Sequence, residues 1–117
     1  MEQLLCHLWG DYILQGDWEA NNKAKSKWIA LFHGFTYSLP FLLLTQSPIA
    51  LLVIWLTHSV IDHYKLAAKL TQLRNWNWTT ANGFPADRPV WLTTWVIILI
   101  DNTLHLTINY LALRYAG

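Results

Sequence analysis

Charge is what this chain has least of. Only 13% of its 117 residues are Asp, Glu, Lys or Arg, where a typical soluble domain carries about 25%. The net charge is +1. That leaves no basic footprint of the kind that tracks nucleic acid, so no nucleic-acid polymer is expected as a partner. A single cysteine, Cys6, excludes an internal disulfide and a cysteine-rich zinc site. The N-terminus lacks a basic stretch, and its first apolar run is interrupted by His7 and Asp11, so no cleavable signal peptide is expected. There is no Gly-x3-Gly helix-packing motif.

What is present is apolar and aromatic: 54% hydrophobic residues and eight tryptophans in one domain's length. Four apolar segments can be drawn. Residues 2–15 form a short helix with a polar face, broken by Gly16-Asp17. Residues 17–27 read as a polar, basic connection holding Lys23, Lys25 and Lys27. Residues 27–45 form the second segment, with Pro40 placed to kink or end it. Ser47 and Pro48 then suit the N-cap and first position of a third segment, residues 48–72. Residues 73–88 read as a long connection made unusually apolar by Trp76, Trp78 and Phe84. Residues 89–115 form the fourth segment.

Seven of the eight basic residues fall in two places, Lys23 to Lys27 and Lys65 to Arg88. In an up-down arrangement the first and third connections share one side, which the positive-inside rule makes cytoplasmic. Trp18, Trp28, Trp76, Trp78 and Trp91 fall near that boundary, where tryptophan anchors belong. The expected fold is therefore all-α, a four-helix transmembrane bundle of up-down topology. It would be multi-pass in the inner (cytoplasmic) membrane, with both termini outward, the basic loops cytoplasmic and the lipid bilayer as its first partner. A homo-oligomer is compatible with so small a bundle.

The most informative stretch lies inside this apolar background. His58 and Asp62 stand four residues apart, one helical turn, and so share a face. The same spacing recurs at His7 and Asp11, and reversed at Asp101 and His105. Three of the five histidines are paired this way, against about 0.4 pairs expected from composition. Alternating helix direction explains the reversal: His7, His58 and His105 fall at one level, and Asp11, Asp62 and Asp101 about 6 Å nearer the cytoplasm. His33 joins at similar depth from the second segment. Imidazole with carboxylate suits a divalent metal, zinc first, with manganese or iron as alternatives. The expected ligands are His7, Asp11, His33, His58, Asp62, Asp101 and His105, enough for two ions or for one ion with orienting carboxylates. The competing reading is a set of buried His–Asp pairs that lock helices together. A paired-histidine haem site, as between His33 and His58, has no haem motif behind it and leaves the carboxylates unexplained. His63 points away from Asp62 and reads as a supporting or interfacial group. Lys65 reads as an anchor reaching the membrane surface. Gln15 and Asn102 suit either polar helix contacts or the site, and Asn109 the former.

His7-Leu8-Trp9-Gly10-Asp11-Tyr12-Ile13-Leu14-Gln15, Asn22-Lys23, His33 with Tyr37, His58-x3-Asp62 with Lys65, and Asp101-Asn102-x2-His105 resemble DUF3307, a family of small bacterial and phage membrane proteins. The resemblance covers nearly the whole chain and implies a multi-helix membrane protein, with no activity attached. One element departs from the family pattern: Asp101-Asn102 stands where the family has Asp-Gln. The His-x3-Asp spacing is also similar to that of helical zinc-dependent phosphoesterases. That analogy, with the cluster, gives the expected function: hydrolysis of a small-molecule or lipid phosphoester near the cytoplasmic face, with Asp11, Asp62 and Asp101 in the catalytic machinery. The alternative is a non-enzymatic membrane protein that binds a host membrane partner and uses the cluster structurally.

Overall fold

The computed structural model describes residues 1–117, and every regular element is helical. The elements are α1 (Glu2–Leu8), a π-helical segment Trp9–Ile13, α2 (Asp17–Asn22), α3 (Lys27–Ser38), a 3₁₀ segment Leu39–Leu43, α4 (Pro48–His63), α5 (Leu66–Asn75) and α6 (Val90–Tyr115). The all-α expectation holds; the four uninterrupted transmembrane helices do not. α6 is the one helix long and apolar enough to cross a membrane. Its 26 residues extend about 39 Å. α1 has 7 residues, α3 has 12 and α4 has 16, each short of the roughly 20 that a span requires.

The interruptions have local causes. Pro40 has no N–H to give to an α ladder, and the chain tightens into the 3₁₀ turn that carries it. Ser47 caps α4 by accepting from the Ala50 N–H at 3.3 Å, with Pro48 at the first position. The expected 48–72 segment is two helices, because Lys65 takes a left-handed backbone, φ 51° and ψ 52°, between α4 and α5. The expected 17–27 connection contains α2. The expected 73–88 connection starts later, since α5 runs to Asn75. Side chains of α5 then tie the following loop down: Gln72 Nε2 donates to the Thr80 carbonyl at 2.9 Å and Asn75 Nδ2 to that of Gly83 at 3.2 Å.

α3 packs on α4, α4 on α6, and α1 on α6, with α2 laid against α3. Two glycines set the closest approaches. A Cβ on Gly34 would run into Ser59 Oγ and lie 2.9 Å from the Trp55 carbonyl oxygen, so α3 and α4 meet backbone to backbone. A Cβ on Gly10 would stand 2.6 Å from Tyr37 Cδ2. Cys6, Tyr37, Phe41, Ile54 and Ala112 form a small apolar core. Beyond it the interior is mostly polar, with Ala30, Ala50, Ile61 and Ala67 as further buried apolar residues. Twelve of the 24 buried residues are polar or charged, among them His7, Asp11, His33, His58, Asp62 and His105. The exterior instead carries Trp9, Phe32, Phe35, Leu52, Leu56, Trp91, Trp95 and Leu99 in the open.

Candidate metal centre

α4 supplies His58 and Asp62. Their one-turn spacing brings Nε2 to 3.0 Å from Asp62 Oδ2. α6 supplies Asp101 and His105, again one turn apart, with His105 Nε2 3.4 Å from Asp101 Oδ2. These two pairs follow from the regular α backbone. The third pair does not. Residues 9–13 are π-helical, with Leu14 N–H bonding back to the Trp9 carbonyl at 2.9 Å, an i→i+5 contact. In this wider turn four residues fall short of one revolution, so His7 and Asp11 part company.

Asp11 swings into the group. Its Oδ1 lies 3.1 Å from His33 Nε2 and 3.5 Å from His58 Nε2. His33 Nε2 is 2.9 Å from His58 Nε2 and 3.3 Å from Asp62 Oδ2. Thus five of the six separations among these four atoms are 2.9–3.5 Å, and all four residues are buried. Zinc ligands lie about 2.0–2.2 Å from the ion, which puts tetrahedral neighbours ~3.3–3.6 Å apart. The observed spacing is that of a slightly tight tetrahedron. An imidazole nitrogen has one proton or one lone pair in its ring plane, so each can serve one of its three close neighbours by hydrogen bonding. One cation at the centre satisfies all four. Asp11, Asp101 and His105 form a second group that could hold a metal ion.

His7 stands outside both. Its Nδ1 is 2.6 Å from Tyr37 Oη and its Nε2 2.9 Å from Asn102 Oδ1. Asn102 Oδ1 can only accept, so His7 Nε2 carries the proton and Nδ1 accepts from the Tyr37 hydroxyl, whose oxygen in turn accepts from Asn109 Nδ2 at 2.7 Å. Both ring nitrogens are then committed, and the expected role of His7 as a ligand has no lone pair to support it. Tyr37 also stacks on His58, with centroids 3.6 Å apart and planes at 11°. Tyr37→Phe would strand His7 Nδ1 and Asn109 Nδ2 in a buried site. The expected cost is about 1–3 kcal/mol, read as a lowered unfolding midpoint in detergent, with the metal ligands untouched.

Two residues of the group, Lys23 and Glu19, were not expected in it from the sequence, and both come from α2 or its C-terminal end. Lys23 Nζ donates to Asp62 Oδ2 and to Gln15 Oε1, each at 2.8 Å. Burial alone would lower the Lys23 pKa, but Asp62 beside it outweighs this and raises it above the ordinary lysine value. His63 Nδ1 meets the Lys23 carbonyl at 3.0 Å and so fixes where that lysine leaves the backbone. Glu19 Oε2 lies 3.6 Å from His33 Nδ1, and both atoms are buried without a hydrogen-bond partner. With Nε2 turned to a metal, Nδ1 carries the proton, and Glu19 becomes the carboxylate that orients the ring. Glu19→Gln is expected to weaken metal affinity about 10–100-fold, measured by competition with a chelating dye. The signal for Lys23 was its place beside Asn22 in the family pattern; nothing in the periodicity marked Glu19.

The model of a protein family of unknown function, DUF3307, matches residues 1–115. The chain belongs to the DUF3307 family. No curated protein and no solved structure matches it. Most polar elements of the family pattern noted in the sequence lie in or beside this centre. Asp11, His33, His58 and Asp62 form the tetrahedral group, and Asp101 and His105 flank it. Lys23, itself held by Gln15, hydrogen-bonds to Asp62, while Tyr37 and Asn102 hold His7 beside the group.

Proposed function

We propose that this DUF3307 protein is a membrane-embedded, metal-dependent hydrolase of a phosphoester. The observation that carries the reading is the near-tetrahedral set Asp11, His33, His58 and Asp62, open at Asp62 to a cavity also lined by Asp101, Lys23 and Lys65. The charges support a cation: Asp11, Glu19, Asp62 and Asp101 against Lys23 leave the group net negative when the imidazoles are neutral. The two-nitrogen, two-oxygen ligand set favours zinc, with manganese or iron as alternatives. Membrane embedding is supported by the inversion of interior and exterior, because charged groups inside an apolar shell are the pattern of a bundle in lipid. In this reading the short helices cross together with α6, and the Lys23 to Lys27 and Lys65 to Arg88 regions face the cytoplasm.

One ion per chain fits the proton inventory better than two. His58 Nδ1 faces His105 Nδ1 at 3.1 Å. If His58 binds metal through Nε2, its Nδ1–H donates to His105 Nδ1. His105 Nε2 then carries a proton and donates to Asp62 Oδ1 at 3.2 Å and toward Asp101. Were both rings metal-bound through Nε2, two N–H groups would collide across that gap. A bound divalent ion would supply Lewis acidity toward a phosphoryl oxygen and acidify water. The protein would hold the ion, keep His105 protonated at Nε2, and offer Asp101 as proton acceptor on the cavity wall.

A second reading follows from the ligand count. Four protein ligands make a closed site, the arrangement of structural zinc. In that case the protein is a non-enzymatic membrane component. Elemental analysis of detergent-purified protein, followed by inorganic phosphate release from a phosphoester panel before and after chelation, tests both. About one metal per chain with chelator-sensitive turnover supports the hydrolase; one metal with no turnover supports the structural reading. Absence of metal removes both.

A further inference from the structure

We infer that the cavity beside the cluster is a headgroup pocket for a phosphate monoester carried on an aliphatic chain, with Lys23 and Lys65 taking the phosphate. This rests on the hydrolase reading above and names its substrate class. The cavity, about 280 Å³, lies between α2, α4, α5 and α6. Its polar part is Lys23, Lys65, Asp62 and Asp101, and its walls include Ala24, Ile61, Ala67, Ala68 and Ile97.

The lysines have capacity to spare. An ammonium has three protons; Lys23 spends two, on Gln15 and Asp62. Lys65 makes no ion pair, and the left-handed backbone at φ 51° that ends α4 sets it on the cavity wall. Such a backbone is uncommon for a residue other than glycine and costs free energy to hold. Two cations beside a metal-neutralised carboxylate cluster suit a doubly charged terminal phosphate. The walls decide what carries that phosphate. They are small and aliphatic apart from Tyr12, whose hydroxyl is given to Asn102 Oδ1 at 3.2 Å, and they present no amide side chain to read a base. The volume sits just below the ~300–1,000 Å³ of sites that enclose a whole drug-sized ligand. It admits a phosphate and the first carbons, while the remaining chain stays in the apolar surroundings outside.

The reaction needs only water. Its oxygen forms the new bond to phosphorus and the bond from phosphorus to the chain's oxygen breaks. The water's proton passes by way of Asp101 to the departing alkoxide, giving an alcohol and inorganic phosphate.

The test uses the full metal-loaded chain in nanodiscs. Phosphate release is measured from dioleoyl phosphatidic acid, glycerol 3-phosphate and adenosine monophosphate. The expected kcat/KM is about 100-fold higher for phosphatidic acid than for either soluble ester. Lys65 meets a metal ligand only through its backbone, its N–H reaching the Asp62 carbonyl at 3.4 Å, so Lys65→Ala is expected to raise KM about tenfold at unchanged metal content, with Lys65→Arg restoring it. Ala68→Trp, which fills the pocket, should abolish turnover of phosphatidic acid with metal retained. Equal or better turnover of glycerol 3-phosphate, or an unmoved KM in Lys65→Ala, overturns the substrate assignment and leaves the hydrolase standing. Metal binding with no hydrolysis of any ester overturns both.

Discussion

Asp62→Asn is expected to strip the protein of its metal and reduce phosphate release by at least about 10³-fold, the scale set by losing a catalytic ion. No other side chain has so many dependants. Oδ2 lies 3.0 Å from His58 Nε2, 3.3 Å from His33 Nε2 and 2.8 Å from Lys23 Nζ, and Oδ1 lies 3.2 Å from His105 Nε2. An amide keeps the shape but drops the charge, and its N–H₂ must face either a lysine ammonium or an imidazole N–H. Metal content by elemental analysis should fall from about one per chain to under about 0.1. A stability effect accompanies this, because Lys23 is left in the interior without its partner; breaking such a pair costs about 3–5 kcal/mol. The two effects separate in a double variant. Asp62→Asn with Lys23→Met removes the stranded charge, so the unfolding midpoint should recover while metal does not return. Retention of metal in Asp62→Asn would place the ion elsewhere and dismantle the site as described.

How much of this was legible in advance depends on the backbone carrying each residue. His58 with Asp62, and Asp101 with His105, lie on regular α-helix, where a spacing of four guarantees a shared face; the sequence was enough. His7 and Asp11 have the same spacing and a different fate, because the π turn at Trp9–Ile13 changes the residues per revolution. That turn has no signature in composition. The close approach of Gly10 to Tyr37 is a tertiary fact that accompanies it. The break at Tyr64-Lys65 was likewise hidden, since neither residue is a glycine, proline or asparagine. By contrast Ser47-Pro48 announced the start of α4, and Pro40 the end of regular α3, because capping and the missing N–H act locally. Lys23 and Glu19 were hardest to place. Both ride on or beside α2, a six-residue helix whose existence depends on what it packs against. Counting lysines for topology put Lys23 among surface charges; its side chain instead turns inward to Asp62.

The inverted interior bears on how these polar groups are tolerated. Each buried imidazole has a partner at both nitrogens or, for His33, a carboxylate facing the second one. A cluster so fully engaged is consistent with either of the two readings of the metal, since both need ordered ligands. What separates them is whether any charged group near the ion is kept for something other than holding it.

Asp101 is that group, and Asp101→Asn should be the mirror image of Asp62→Asn: metal kept, turnover lost. Asp101 touches neither His33 nor His58. Its one partner in the cluster is His105 Nε2 at 3.4 Å, its side chain is 29% exposed, and it lines the cavity. An asparagine there preserves volume and a carbonyl oxygen for His105 but cannot accept a proton. Positioned acid–base catalysis contributes about 10²–10⁴-fold, so kcat on the best ester should fall by that factor, with KM within about threefold because binding is left to Lys23 and Lys65. Metal content should match the parent protein. If metal is lost in proportion to activity, Asp101 is a ligand and the Asp11, Asp101, His105 group holds a second ion. If neither metal nor turnover changes, the carboxylate is idle in catalysis and the closed, structural arrangement gains the argument. Steady-state kinetics and elemental analysis on the same preparation distinguish the three outcomes.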